Sequence, residues 1–368
     1  MLVTRHSLLV TLNSGPHLSV IVPVYNGGAG VALCLDALAA SVCDEAFEII
    51  VVDDCSTDGS GEAARARGAE VLRLAERSGP SAARNRGAER ARGDVLFFVD
   101  ADVVVRRDTL ARVVEFMRAH TEVAAVFGSY DDAPADRHAV SLYKNLLHHY
   151  VHQHSNEEAE TFWAGCGAIR RAAFEEAGGF DERRYARPSI EDIELGRRLR
   201  RRGARIRLDK GLQVKHLKRW TLPTLVRTDI FARAVPWSRL IFEGGAGVPD
   251  DLNLRTRDRA SALLAGAGVG LVAASALAFA WTRAFVVAAV MLACALVALA
   301  AVLYLNRRLF GFFFRLHGAT FAARAYLLHL LYFLYSGAAF AYCFCEHALG
   351  RRARREKLAA EQRRVRDA

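Results

Sequence analysis

Residues 95–102 read VLFFVDAD, five apolar residues followed at once by two aspartates around one alanine. Similar short runs, Leu18–Val22, Phe47–Val52 and Glu70–Leu74, alternate with segments of helical character along residues 17–235. This alternation is typical of a buried, mainly parallel sheet with helices between its strands. We therefore predict a Rossmann-like α/β domain with a ligand site just past its strand ends.

The chain has 368 residues, a formal net charge of +10 and seven cysteines. A basic balance suits nucleic acid, anionic lipid or phosphate-bearing substrates, so charge alone does not choose among them. We expect no nucleic-acid partner, because no binding motif for one is present and three apolar runs of lipid-spanning length are. The cysteines form no CxxC pair, which favours reduced thiols.

Three apolar runs, 261–280, 284–305 and 325–345, each approach the ~20 residues needed to cross hydrocarbon. They define a predicted membrane region, 259–347, which follows interfacial amphipathic helices and a linker over 221–258. A basic tail, 348–368, ends the chain. Residues 1–16 form an N-terminal extension without the long apolar core of a signal peptide, so we expect the domain at 17–220 to be cytoplasmic.

The positive charges leave the membrane topology open. Arginines occupy 306–324, and residues 351–368 carry eight Arg and Lys against three acids, so both segments should be cytoplasmic. Three crossings from a cytosolic N-terminal domain would instead place the tail outside. Either the last segment is re-entrant, or another segment crosses or lies in the interface, or the tail breaks the rule.

Asp100 and Asp102 follow an apolar run and should face the same side of an extended chain. Such paired carboxylates suit Mg²⁺ or Mn²⁺ completed by a diphosphate, although most isolated pairs of this kind are solvated turn acids. His216 could ligate the metal or bind phosphate, but a lone histidine is usually structural. Arg219 could pair with a diphosphate, and Trp220 could anchor the fold or stack on a ligand.

Three more polar segments follow predicted strands or begin predicted helices. Asp53 and Asp54, in IIVVDDCSTDGS (49–60), could accept hydrogen bonds from a base or ribose, or belong to a capped helix start. The helix beginning in GPSAARNRG (79–87) could attract phosphate, with Arg84 and Arg86 as cations. Ser189 is a plausible N-cap that places Asp192 third in a helix, where Glu191 and Asp192 either complement the helix dipole or include a general base.

In this order, the segments resemble the family 2 glycosyltransferases of the GT-A fold, membrane-attached bacterial type. The resemblance covers residues 17–220 and rests on VIVPVYN (20–26), VVDDCSTDGS (51–60), GPSAARNRG, Asp100-Ala101-Asp102, Trp163–Gly167 with Gly179-Phe180-Asp181, and Glu191-Asp192. Any one motif is weak, whereas the ordered set is specific. Processive synthases of the family carry QxxRW, and His216 in the first position argues against a cellulose- or chitin-type synthase.

The resemblance implies a role for each matched residue. The donor nucleotide would lie against Pro23, Tyr25, Asn26, Asp53, Asp54, Arg84 and Asp100. The metal, Mg²⁺ or Mn²⁺, would be held by Asp100 and Asp102, with His216 as a further candidate. Asp192 would be the catalytic base of an inverting displacement. The acceptor or diphosphate would meet Trp163, Gly165, Glu191, Arg219 and Trp220.

The expected activity is transfer of a sugar from a UDP- or GDP-sugar to an acceptor hydroxyl or phosphate. An adjacent membrane region favours a lipid or glycolipid acceptor at the cytoplasmic face of the inner membrane, with a multi-pass anchor. The alternatives are a nucleotidyltransferase and a catalytically inactive membrane scaffold on the same fold. A nucleotidyltransferase would release pyrophosphate rather than a nucleoside diphosphate.

Overall fold

The computed structural model describes the backbone of residues 17–244, 256–282 and 284–366. The chain divides into two compact units, one ending at Trp220 and the other beginning at Thr221. The predicted N-terminal extension, residues 245–255 of the predicted linker and the last two residues of the tail lie outside the described residues.

One sheet runs through the first unit. Its strands are β1 (Leu18–Val24), β2 (Phe47–Asp53), β3 (Glu70–Arg73), β4 (Val95–Val99), β5 (Val103–Val104), β6 (Val123–Tyr130), β7 (Cys166–Arg170) and β8 (Arg205–His216). Their order across the sheet is β3-β2-β1-β4-β7-β6-β8-β5. Strands β1 to β4 are mutually parallel, as are β6 and β8, whereas β7 is antiparallel to both its neighbours and β5 is antiparallel to β8. The predicted mainly parallel, Rossmann-like architecture is confirmed.

Helices cover both faces of this sheet. They are α1 (Gly28–Ala39), α2 (Ser60–Arg65), α3 (Pro80–Arg90), α4 (Thr109–Ala119), α5 (Ala139–Gln153), α6 (Arg171–Ala177) and α7 (Glu191–Arg201). The apolar run of β4 explains the two layers, because its side chains alternate between the faces. Val95, Phe97 and Val99 pack with α1 and α4, while Leu96 and Phe98 pack with α3, α6 and α7.

The first strand runs further than its apolar pattern predicted. It continues through Pro23 to Val24, although a proline cannot donate to a sheet ladder. Strand β4 pairs with β1 only as far as Ile21, so Pro23 lies past the end of that ladder. The backbone thus stays extended up to the polar residues that follow β1.

The second unit is helical. Helix α8 (Leu222–Arg227) continues through a π-helical segment, Thr228–Ala234, into α9 (Val235–Gly244). Three long helices follow: α10 (Thr256–Thr282), α11 (Phe285–Leu305) and α12 (Arg307–Arg366), the last broken at Gly318, where φ is 77°. All three are long and apolar enough to cross a membrane, as the sequence predicted.

Gly87 tests how closely α3 approaches the sheet. A Cβ there would lie 3.2 Å from Val52 Cγ2 and closer still to Ile21 Cγ2. We expect Gly87→Ala to reduce the free energy of unfolding by about 1–3 kcal/mol through overpacking. Alanine's higher helix propensity, about 1 kcal/mol in its favour, offsets only part of this. Thermal unfolding in detergent should show a lower Tm than for Glu89→Ala on the exposed face of α3; equal Tm values would contradict the close approach.

Candidate active site at the carboxyl edge of the sheet

The carboxyl ends of β1, β2 and β4 meet at one edge, because the three strands are parallel and in register. Val24 pairs with Asp53, and Ile21 pairs with Phe98. Asn26, Asp54 and Asp100 therefore leave the sheet close together, at the edge where open α/β sheets bind their ligands.

The guanidinium of Arg84 lies buried between acids from two other elements. Its Nη2 donates to Asp100 Oδ1 at 2.7 Å, and its Nη1 donates to Glu191 Oε1 at 2.9 Å. Burial acts to lower the pKa of Arg84, but the charges of Asp100, Glu191 and Asp192 outweigh it, so the pKa is raised and the cation is fixed. Arg84, which we expected at the nucleotide, thus joins α3 to the end of β4 and the start of α7.

Asp100 and Asp102 lie at the end of β4 with their carboxylates partly exposed, 31% and 42% of each side chain. The backbone of Asp100 is held by Gly165, whose carbonyl accepts its N–H at 3.2 Å. Burial, together with the charges of Asp102 and Glu191, raises the pKa of Asp100 against the opposing charge of Arg84. Desolvation acts to raise the pKa of Asp102 too, but the close approach of His216 and the positive charge of Lys218 lower it.

His216 is placed beside this pair by strand pairing. It lies opposite Val103 in the β5–β8 ladder, and its Nε2 is 3.6 Å from Asp102 Oδ2. Its buried ring stacks on Tyr130, with centroids 4.1 Å apart and planes 13° from parallel. The structure therefore brings together all three residues that we predicted for the metal. Asp102 is two residues from Asp100 along the chain and lies beside His216.

The donor set at this edge fits a divalent cation that a diphosphate completes. Asp100 and Asp102 supply hard oxygen ligands, and acids here outnumber the buried guanidinium, so a cation is favoured electrostatically. Over the ranges that the structure describes, no three His, Cys, Asp or Glu side chains are arranged to hold an ion alone. A partial protein shell finished by substrate phosphates and water is the usual arrangement for Mg²⁺.

Asp192 lies beside Glu191 in the first turn of α7, half-buried. Its Oδ2 accepts the N–H of Ala164 at 3.2 Å, and its Oδ1 accepts that of Ile193 at 2.8 Å. Burial, followed by the charge of Glu191, raises the pKa of Asp192 to about 6, against the opposing effects of Arg84 and the two amides. A carboxylate of this basicity is suited to accept a proton near neutral pH.

The predicted Ser189 cap of α7 is wrong. The helix begins at Glu191, with Ile190 in the N-cap position and no side-chain capping bond. Ile190 is buried at 1% exposure, so its packing sets where the helix starts. Asp192 is consequently the second helical residue, and Glu191 Oε2 accepts the N–H of Ser189 at 2.8 Å.

The loops after β1 and β2 are fastened to each other by hydrogen bonds. Asn26, at φ 48°, donates its N–H to Ser56 Oγ at 3.0 Å, and its Oδ1 accepts the N–H of Thr57 at 2.8 Å. Asp58 Oδ2 accepts the N–H of Gly28 at 2.8 Å. Asn26 thus shapes the loop after β1, which also carries Tyr25 and follows Pro23 of the strand.

Asp53 and Asp54 are both buried, and their carboxylate oxygens accept hydrogen bonds from these loops and their neighbours. Asp53 accepts hydrogen bonds from the Ser56 N–H at 2.8 Å and from Arg73 Nη1 at 2.7 Å. Asp54 accepts the N–H groups of Ser78 and Gly79, at 2.6 and 2.8 Å, just before α3. We predicted these two acids at the nucleotide. In the structure they hold in place the loop after β2 and the segment before α3.

Two side chains of this edge were missed by the sequence reasoning. The Arg77 guanidinium lies 3.8 Å above the ring of Tyr25, which is 41% exposed. Tyr130, at the end of β6, contacts both His216 and Trp163 through its ring. Neither residue lies in a motif, and only the fold brings them to the site.

Trp163 and Gly165 belong to the segment before β7. The Trp163 ring packs edge-on against Tyr130 at 4.9 Å and beside His148 at 4.8 Å. A Cβ on Gly165 would lie 2.6 Å from Trp163 Cε2, so only glycine leaves room for this ring. The pair thus forms one wall of the site near Asp100.

Arg219 and Trp220 lie differently from each other. Arg219 is exposed, 3.7 Å from Asp136. Trp220 is buried, and its backbone N–H donates to Ser141 Oγ at 2.7 Å. Of the two roles left open for Trp220, this burial favours anchoring the end of the first unit on α5.

The geometry agrees with comparisons to known proteins. Residues 19–178 match the model of the family described as "Glycosyl transferase family 2". The putative teichuronic acid biosynthesis glycosyltransferase TuaG of Bacillus subtilis is 33% identical over 34% of this chain. The pre-mycofactocin glycosyltransferase of Mycobacterium tuberculosis is 28% identical over 69% of it. The chain spans about half the length of these two relatives, 53% and 52%.

A solved structure shares the fold over most of the chain. It is a mannosyltransferase from Pyrobaculum calidifontis, determined in complex with GDP-Man and Mn²⁺. The superposition has a TM-score of 0.52 at 19% identity and covers 90% of this chain and 88% of the other. The predicted GT-A fold is confirmed by this likeness.

Removing the Arg84 cation should show how much it contributes to the stability of the fold. Arg84→Met leaves the buried Glu191 and the partly exposed Asp100 without their partner, and breaking a buried ion pair such as Arg84–Glu191 typically costs about 3–5 kcal/mol. We expect a marked fall in Tm in detergent. The matched control is Arg86→Met, two residues along α3, whose pairs with Glu89 and Glu182 are partly exposed. A Tm as high for Arg84→Met as for the control would show that the buried cation is dispensable.

Proposed function

We propose that the chain, whose residues 19–178 match glycosyl transferase family 2, transfers a sugar from a nucleoside-diphosphate sugar to a lipid-linked acceptor with inversion at the anomeric carbon. The observation that carries this proposal is the linkage of Asp100 and Glu191 through Arg84. It places the acids that follow β4 and the base candidate on α7 at one site. The homologous fold of a mannosyltransferase solved with GDP-Man and Mn²⁺ supports a donor of this class.

In the proposed reaction, Asp192 accepts the proton of an acceptor hydroxyl as its oxygen bonds to the anomeric carbon. The bond from that carbon to the diphosphate oxygen breaks, and the nucleoside diphosphate leaves with the electron pair. Asp100 and Asp102 would hold a divalent cation, which when bound neutralises the charge of the leaving diphosphate. Asn26, Asp53 and Asp54 keep the two nucleotide-side loops in place, and Tyr25 offers a partly exposed ring to the base.

The acceptor follows from Asp192 and from the second unit. A phosphate acceptor is already largely ionised near neutral pH and needs no base, whereas a hydroxyl does. The pKa of about 6 for Asp192 therefore favours a hydroxyl. Helices long and apolar enough to span a membrane favour an acceptor carried by a lipid at the cytoplasmic face of the inner membrane.

Asp192→Asn tests the base. The change keeps the side chain's size but removes its basicity, so we expect transfer to fall by about 10²–10⁴-fold. Donor affinity should stay close to that of the unaltered chain. The readout is release of nucleoside diphosphate together with donor titration. Transfer at the full rate to a hydroxyl acceptor would remove Asp192 from the mechanism.

The pH profile gives an independent check on the same residue. Only the ionised carboxylate accepts a proton, so kcat/KM should fall as pH drops below about 6 and level off above it. The residual rate of Asp192→Asn should lack this limb. If both chains showed the same limb near pH 6, another group would be responsible for it.

Donor titration tests the proposal as a whole. Calorimetry of the detergent-purified chain with UDP- and GDP-sugars, with and without Mn²⁺, should show cation-dependent binding of one donor class. Asp102→Ala should weaken that binding, whereas Asp94→Ala, an exposed aspartate just before β4 at the opposite end of that strand, serves as the matched control. Pyrophosphate as the product would favour the nucleotidyltransferase, and no binding to any donor would favour the inactive scaffold.

A further inference from the structure

Helices α10 and α11 form a hairpin in which only one stripe of each helix is covered. The buried positions are spaced three, four or seven residues apart, and Ser275 Oγ donates across the hairpin to the carbonyl of Ala288 at 2.7 Å. They are Ser261, Ala265, Gly268 and Ser275 on α10, and Ala288, Ala295, Ala298 and Val302 on α11. Such small residues let two membrane helices pack closely.

Helix α12 meets this hairpin at one end. Tyr326 donates its hydroxyl to the carbonyl of Leu299 at 2.8 Å, and Leu330 and Phe333 pack with Ala265 and Val302. A third span lying alongside the hairpin would also cover its far half, the half that is nearest the turn between α10 and α11. There, large side chains remain exposed on both helices within the described residues: Val272, Leu277, Phe279, Val286 and Val290.

The following part of α12 lies against α9 and the π-helical segment before it. Tyr335 donates to Asp229 Oδ2 at 2.7 Å, and Arg239 pairs with Glu346 through two hydrogen bonds of 2.9 and 3.1 Å. Arg239 and Glu346 are each 47% exposed. A crossing by residues 325–345 would place Tyr335, and with it the Asp229 side chain, near the middle of the hydrocarbon, where acidic side chains are unfavourable.

Composition separates α12 from the hairpin in the same way. Residues 261–282 and 284–305 contain no charged side chain. The apolar run of α12, 325–345, contains His329 and four tyrosines, and Arg324 and Glu346 lie directly at its two ends. Charged and amphipathic aromatic side chains of this kind are favoured at the membrane–water interface.

We propose that the α10–α11 hairpin crosses the bilayer and that α12 lies in the lipid headgroup region, on the side where residues 221–244 lie. Two crossings return the chain to its starting side. The arginines of 306–324 and the basic tail then share one side, which resolves the conflict that three crossings create. The partner of the tail is an anionic lipid surface, which attracts clustered Arg and Lys.

Cysteine labelling of the full chain in spheroplasts tests this topology. In a background with all seven native cysteines changed to serine, Ala284→Cys marks the hairpin turn and Ala368→Cys marks the tail. Glu176→Cys, exposed on α6, marks the first unit as the control. A membrane-impermeant maleimide should label Ala284→Cys in intact spheroplasts, and the other two only after permeabilisation.

Labelling of the tail variant from outside, or protection of the hairpin turn, would overturn the proposal. Because serine at the buried Cys34 and Cys166 could prevent folding, a second measurement keeps the native cysteines. Green fluorescent protein or alkaline phosphatase is fused after residue 368 of the full chain. A fluorescent fusion without phosphatase activity is the expected result; active phosphatase would show that α12 crosses.

Discussion

The buried guanidinium of Arg84 is the interaction on which the site depends. Asp100 follows β4 and Glu191 begins α7, far apart in sequence, and both accept a hydrogen bond from one guanidinium on α3. A buried charge must be paired and hydrogen-bonded, so the acids and the cation hold each other in place. The pKa of Asp192 is raised by burial and by the neighbouring charge of Glu191, against the opposing charge of Arg84.

The parallel part of the sheet was predictable because its strands are short, buried and separated by helices. β4 begins and ends at the predicted residues, since five apolar side chains feed both cores and the aspartate that follows cannot. Parallel pairing then brings the strand ends to one edge, so the motif residues of the first hundred positions could be placed together before any contact was known. Asp100 and Asp102 were placed at this edge for the same reason, whereas His216 was a metal candidate from its residue type alone.

Long-range packing decided what the sequence did not reveal. β7 is antiparallel within the sheet, and no periodicity distinguishes it from the strands beside it. Tyr130 reaches His216 only because β6 and β8 pair, and Arg77 reaches Tyr25 only because the loop before α3 returns to β1. The cap of α7 was misplaced because burial of Ile190 overrode the local preference for serine. Asp53 and Asp54 differ from these cases, because a motif did mark them as important. The motif did not reveal that their oxygens accept hydrogen bonds from backbone N–H groups and Arg73.

The second unit shows that apolar length alone does not establish a crossing. α10, α11 and α12 all meet that criterion, yet their surroundings differ. The far half of the hairpin exposes large apolar side chains around a single covered stripe, as a lipid-facing pair does. Much of α12 is covered by protein instead, including segments that contain Asp229 and Arg239. Its apolar residues are therefore buried against protein. The arginines of 306–324 and the basic tail lie on the same side of the membrane only if α12 does not cross it.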